Sequence, residues 1–211
     1  MLTLIILGLT SFSGLNINAQ DFRFGLLAGL DIANSHWINI PDMYGGSKKL
    51  YPMISFNLNA YAGYKSVGLW GMSVEPGFIQ KGGVQKFFGD VVRLQLNYIQ
   101  LPVLADFYLS DRFFISAGPE LAYAIDMKAK SITRNYVTDI SDFYGNRFEL
   151  SGMIGLNYKI IEKLDIGLRY NHGITNISSF VYTDLQGNTS GKMKEYNQYI
   201  QLILRFKINK L

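Results

Sequence analysis

The sequence predicts an all-β chain: an N-terminal signal peptide, then an eight-stranded antiparallel up-and-down barrel that crosses a membrane with its strands. Three observations predict it. After residue 20, apolar and polar residues alternate with a period of two, as in a strand, where successive side chains point to opposite faces. The connections between these stretches alternate very short and long, as between the two rims of an outer-membrane barrel. The polar faces carry full charges of both signs, which suits a filled interior better than a wall against hydrocarbon.

The chain of 211 residues opens on the apolar run Met1-Leu2-Thr3-Leu4-Ile5-Ile6-Leu7-Gly8-Leu9 and reaches Asn18-Ala19-Gln20. A membrane-spanning helix needs roughly 20 apolar residues, so this run is too short. The small residue Ala19 suggests a secretory signal over residues 1–19 with cleavage before Gln20, although no Lys or Arg precedes the apolar run. Residues 20–211 then form one barrel domain. The absence of cysteine excludes a disulfide framework, a thiolate metal site and a lipid-anchored N-terminus. The net charge of +4 comes from scattered basic residues, which argues against nucleic acid as a partner.

The expected strands are 22–33, 51–65, 67–81, 91–108, 112–126, 147–160, 163–176 and 195–208. Tight turns fall at Lys65-Ser66, Leu109-Ser110-Asp111 and Ile161-Glu162; long polar loops fall around 34–50, 82–90, 127–146 and 177–194. Both chain ends then lie on the short-turn, periplasmic side. The last strand must pair with the first, because an open sheet edge is not tolerated in lipid.

The faces sort strand by strand. The first offers Phe22, Phe24, Leu26, Ala28 and Leu30 against Arg23, Gly25, Gly29 and Asp31. The second offers Phe56, Leu58 and Ala60 against Asn57, Asn59 and Lys65. The last offers Ile200, Leu202, Leu204 and Phe206 against Gln201, Arg205 and Lys207. Turned inward, Asp31, Glu75, Glu120, Asp126, Glu149 and Asp165 can meet Arg23, Lys65, Lys81, Arg93, Arg169 and Arg205. Turned outward, each mid-membrane Arg or Lys would cost roughly 2–4 kcal/mol. Charges inside and apolar residues outside therefore win, and the barrel belongs in a bacterial outer membrane. Trp70, Tyr64, Tyr98, Tyr123, Tyr158 and Tyr170 suit interfacial aromatic girdles; aromatic residues are also simply good strand formers.

Four segments carry a family resemblance: Glu75-Pro76-Gly77-Phe78-Ile79-Gln80-Lys81-Gly82, Leu96-Asn97-Tyr98-Ile99-Gln100-Leu101-Pro102-Val103-Leu104, Ala117-Gly118-Pro119-Glu120, and Arg169-Tyr170-Asn171-His172-Gly173-Ile174-Thr175-Asn176-Ile177. With Ala19-Gln20 they resemble the PorT-type outer-membrane β-barrel family of the Bacteroidetes, here with the Ile-Pro pair stretched to Ile99-Gln100-Leu101-Pro102. The resemblance spans essentially the whole mature chain. It implies the barrel fold, and through the family's named member a link to type IX protein secretion; fold transfers more safely than function.

Candidate chemistry is sparse. Pro76, Pro102 and Pro119 sit in strands, where proline offers no ladder hydrogen bond. They fit bulges that bend the wall, or a seam where a partner protein or lipid touches it. Glu75 or Glu120 near Arg93 or Arg169 could be acid and base, but a salt-bridge network filling the core explains them better. Of the two histidines, His36 lies in the first long loop and His172 near the top of the seventh strand. A rim protease would need His172 beside Asp31 or Asp184, whereas alternation points His172 outward. The long loops hold Lys48, Lys49, Lys86, Lys128, Lys130, Arg134, Lys192 and Lys194 against Asp42, Asp90, Asp139, Asp142 and Asp184, which reads as ordinary solvated loops or as a slightly basic rim able to touch lipopolysaccharide phosphates. No catalytic, cofactor-binding or metal-binding residue is assigned, and no cofactor is expected. The chain is read as a non-enzymatic membrane component, a scaffold or accessory of an envelope assembly linked to protein secretion. The alternative is a surface-binding barrel whose long loops engage a ligand, lipid or host surface; a small pore is disfavoured. Partners are outer-membrane lipid, lipopolysaccharide and, for the leading reading, other envelope or secretion proteins.

Overall fold

A computed structural model describes residues 22–39, 50–87, 89–183 and 189–210. The expected signal peptide at 1–19 and most of the first long loop lie outside the described residues. The strands are β1 (Phe22–Ile38), β2 (Met53–Lys65), β3 (Trp70–Val74), β4 (Gly77–Phe87), β5 (Asp90–Tyr108), β6 (Phe113–Ser131), β7 (Val137–Asp139), β8 (Phe148–Ile161), β9 (Leu164–Gly173), β10 (Ser178–Thr183) and β11 (Thr189–Lys210). A 3-10 turn, Ser141–Phe143, follows β7.

Eight staves close the ring. β3 and β4 together make the third stave, interrupted at Glu75-Pro76, and every neighbouring pair is antiparallel. β11 closes the barrel on β1 from Ile38↔Lys194 to Arg23↔Lys210, so no edge is left unpaired in the wall. β7 and β10 are short additions beside β6 and β11 at the long-loop end. Several staves outrun the expected strands there: β1 continues to Ile38, β6 to Ser131, and β11 starts at Thr189.

The alternation is realised as an inside-out protein. Leu26, Leu30, Ile32, Ile54, Phe56, Leu58, Ile154, Leu156, Leu168, Leu202 and Leu204 are exposed on the outer wall. Their neighbours Asp31, Asn57, Asn59, Asn157, Arg169, Gln201 and Arg205 are buried within. On β1 the apolar outer band runs from Phe22 to Ile32, eleven residues, about what a tilted strand needs to cross a bilayer. Above it the outer face turns polar. Gln80 donates to Asn97 at 3.0 Å and Asn97 to Asp126 at 3.0 Å, with Lys128 3.0 Å from Asp126. This belt marks where the wall leaves hydrocarbon, and the strand extensions above it form a folded extracellular rim.

Three expectations are corrected here. Asp126 is not in the lumen: the pairing shifts between Asn97 and Tyr98, adding a residue to β6 and turning Asp126 outward. Arg93 lies on the face of β5 opposite inward-facing Leu96 and Tyr98, and makes no ion pair with a lumen acid among the described residues. Tyr98, expected in an outer girdle, is wholly buried inside.

The prolines bend nothing by bulging. Pairing is in register on both sides of Pro76 (Ala62↔Val74, then Asn59↔Gly77) and of Pro102 (Pro102↔Glu120, then Ala105↔Ala117). The shifts fall elsewhere, including Phe24/Gly25 and Asn97/Tyr98. The prolines' carbonyls still accept, from Ala60 at 2.8 Å for Pro76 and from Glu75 at 3.0 Å for Pro102. Beside them β5 and β6 approach so closely that a Cβ on Gly118 would stand 2.1 Å from the Val103 carbonyl oxygen.

Candidate functional site

The lumen divides into layers. At the periplasmic side Glu75 takes two hydrogen bonds from Arg169, Nη1 to Oε2 at 2.5 Å and Nη2 to Oε1 at 2.8 Å. Arg205 donates to the same Oε1 at 2.8 Å and lies 3.5 Å from Asp165, whose other oxygen accepts from Lys207 at 2.7 Å. The Arg205 guanidinium also stacks over Tyr61, 4.4 Å from its centroid. The alternating staves supply these groups because each places its odd-numbered or even-numbered face inward throughout this section.

A second cluster lies above. Lys81 reaches Glu120 at 2.9 Å and Glu149 at 3.1 Å, between the rings of Tyr98 and Tyr199. Glu120 also accepts from Tyr199, from Asn171 at 3.2 Å and from Ser151 at 3.2 Å; Glu149 accepts from Asn197 at 2.8 Å. All of these side chains are buried. Buried charges at this spacing are held because each has a partner of opposite sign. Such a network fills the interior of a barrel of this width with side chains.

Around and above Lys81 the interior becomes apolar, which the sequence reading did not anticipate. Ile79, Leu96, Tyr98, Met127 and Tyr199 from the wall pack with Tyr144 and Ile177, both brought in from outside the strands. Tyr144 follows the 3-10 turn, which Ser178 ties down by donating to the Phe143 carbonyl at 3.1 Å. The result is a plug across the upper lumen.

Over the plug, within the rim, lies a cavity of about 190 Å³ lined by Trp37, Leu50, Gln85, Leu94, Ile140, Phe143, Tyr144, Ser178, Phe180 and Glu195. Trp37 and Phe180 stack with centroids 5.6 Å apart. Glu195 stands opposite Trp37 in the β1–β11 register, buried, with the Ser35 hydroxyl donating to it at 2.5 Å. Neither Trp37 nor Glu195 was singled out from sequence. Trp37 fell in an expected loop and Glu195 opened the last expected strand, so only the extension of β1 across from β11 brings them together.

The other candidates scatter. His172 faces outward, as alternation implied, and Asp31 faces the lumen, where Asn57 donates to it at 2.8 Å; the two share no site. Asp184 lies outside the described residues. His172 instead stacks on His36, 5.3 Å between centroids, and bonds Tyr170 through Nδ1 at 3.1 Å. Glu75 and Glu120 are committed to the ion pairs above, and among the described residues no three His, Cys, Asp or Glu side chains group as a metal site would require.

An outward apolar band, an inward charge network and a closed ring of eight staves have one home, and residues 18–179 match the outer membrane protein beta-barrel domain. The chain belongs to that family. It is an integral outer-membrane barrel. Neisserial surface protein A is similar in structure, with 14% identity, a TM-score of 0.51, and coverage of 88% of this chain and 97% of that one. Ail, the attachment invasion locus protein of Yersinia pestis, solved with the heparin analogue sucrose octasulfate, gives 11% identity, a TM-score of 0.46 and coverage of 88% and 99%. The outer membrane protein OprG from Pseudomonas aeruginosa gives 12%, 0.39, and 89% and 94%. At these identities the likeness speaks for the fold. No curated protein matches the chain in sequence.

Proposed function

We propose that this barrel is a non-enzymatic surface-binding protein that works by contact through its extracellular rim. The observation that carries this reading is the division of labour between the two ends of the wall. Within the membrane the lumen is packed with the Glu75–Arg169–Arg205 and Lys81–Glu120–Glu149 clusters, and the plug above leaves nothing to conduct. Beyond the polar belt, β1, β6 and β11 continue and β7 and β10 are added. That structure stands above the band that faces hydrocarbon. The chain would be exported by its N-terminal segment 1–19 and meet lipopolysaccharide where the wall leaves the bilayer.

The PorT-type sequence resemblance supports a second reading, an accessory of a protein-secretion assembly of Bacteroidetes. One experiment separates the two. The intact barrel and a variant in which only the rim part of the β10–β11 hairpin, residues 178–194, is replaced by a tight turn are affinity-purified in mild detergent from the native outer membrane, and stoichiometric partners are identified by mass spectrometry. Surface binding predicts that the shortened barrel folds and loses an external ligand or surface component. Recurrent envelope or secretion proteins, retained without the hairpin, would overturn it in favour of the accessory reading.

A further inference from the structure

We propose that Arg93 and Lys130, with Lys86 beside them, form a phosphate-binding site on the outer face of the rim, and that its occupant is a phosphorylated glycolipid of the outer leaflet. The inference goes beyond the surface-binding reading and does not depend on it. Three observations carry it.

The first is register. Arg93 stands directly opposite Lys130 across the β5–β6 pair. Both point outward, because Val92↔Ser131 and Leu94↔Ala129 on either side share the inward face with buried Leu96↔Met127. Lys86 lies diagonally from Arg93 across the β4–β5 pair, two residues beyond Val84, with its Nζ 4.9 Å from the centroid of the Tyr51 ring. Like charges directly opposite on one face repel. One rung lower the same sheet neutralises its cation, since Lys128 sits 3.0 Å from Asp126 and opposite Asp139. Among the described residues no acid lies within ion-pair distance of Arg93, Lys130 or Lys86. Cations left facing each other in this way call for an anion from outside.

The second is the donor. Arg93 Nε is shielded from solvent and has no hydrogen-bond partner. Turning the guanidinium toward an external anion therefore breaks no bond at that atom, and its planar fork matches two phosphate oxygens.

The third is height. Arg93 lies four residues along β5 from Asn97 in the polar belt. That is about 13 Å of strand, or about 10 Å of height at the usual tilt. The headgroup layer reaches roughly 5–8 Å beyond the hydrocarbon, and long cationic side chains extend toward it. A lipid-borne phosphate thus comes within reach while its acyl chains lie against exposed Ile99 and Ile125 below. That second contact favours the lipid over a free phosphate ion.

The folded barrel in neutral detergent is titrated with diphosphoryl lipid A, with the same lipid dephosphorylated, and with inorganic phosphate. Bound ligand is counted by native mass spectrometry, and heat-dependent migration checks the folding of every variant. The expected result is saturable binding of the phosphorylated lipid, much weaker binding of the dephosphorylated one, and no bound inorganic phosphate over the same range. Arg93→Gln with Lys130→Gln should weaken the phosphorylated lipid about tenfold or more, the loss of charge-assisted hydrogen bonds. Lys192→Gln with Lys194→Gln removes the same charge from β11, where the two stand opposite Val181 and Ser179, and should leave the curve in place. Equal binding of the two lipids, equal losses in the two double variants, or inorganic phosphate bound as tightly as the lipid would each overturn the proposal. A barrel that fails here yet loses its captured partner when residues 178–194 are replaced loses this inference alone.

Discussion

Replacing Glu75 by Gln tests the lumen network most sharply, because one carboxylate there serves two guanidiniums. The substitution keeps size and one acceptor oxygen. It removes the charge facing Arg169 at 2.5 and 2.8 Å and Arg205 at 2.8 Å. Arg205 retains Asp165 at 3.5 Å, whereas Arg169 has no other acid within ion-pair distance among the described residues. Three hydrogen bonds to charged groups at roughly 1.5–3 kcal/mol each set an upper bound. The surviving amide oxygen recovers part, so the expected loss is about 3–5 kcal/mol, that of a broken buried pair. The assay is urea unfolding in lipid vesicles followed by tryptophan fluorescence. Adding Arg169→Met should restore more than half of the loss, since it removes the stranded cation. A Glu75→Gln barrel within about 1 kcal/mol of wild type, or a double variant no better than the single, would refute the reasoning that charge pairing holds this section of the lumen.

Other expectations follow from the wall. Leu202→Arg, at a half-exposed outer position paired with Leu30, should cost about 2–4 kcal/mol in the same assay; tolerance would put that face somewhere other than hydrocarbon. Gly118→Ala should destabilise by about 2 kcal/mol or more, because its Cβ would sit 2.1 Å from the Val103 oxygen. Gly152→Ala, with its nearest atom at 3.9 Å, should be neutral within about 0.5 kcal/mol; equal effects would contradict the packing described. Pro102→Val should assemble as wild type, since the ladder is already in register around it, and heat-dependent migration checks this.

How much of this was legible in the sequence depends on which face and which height is considered. In the membrane section the period of two was sufficient: Phe24, Leu26 and Leu30 against Asp31 fix both strand and orientation, because only one assignment keeps charge out of lipid. The split of the third stave at Pro76 and the bulge that sends Asp126 outward were not legible, since a shift of one residue leaves no mark on composition. Above the belt the signal fails for a different reason. Once the wall leaves hydrocarbon nothing forces either face to be apolar, so β1 beyond Ala33 and β6 beyond Asp126 looked like loop. The upper lumen was missed because Tyr144 and Ile177 enter from non-strand segments with no period at all. The ion pairs were partly foreseen. Glu75, Glu120, Glu149 and Asp165 do meet Lys81, Arg169 and Arg205. Lys207, expected on the inward face but without a named acid, pairs with Asp165, while Arg23 and Lys65 form no ion pair among the described residues. The cavity with Glu195 and Trp37 could not be read at all, because register across the β1–β11 seam, not spacing along the chain, brings the two together.

The central claim is a barrel sealed through its membrane section and active only at its rim. Single-channel recording in a planar bilayer tests it most directly. The account predicts no current above the bare-bilayer baseline for the wild-type barrel, with the ion-paired lumen and the Tyr144–Ile177 plug both in place. Discrete, reproducible conductance steps from the folded protein would contradict it.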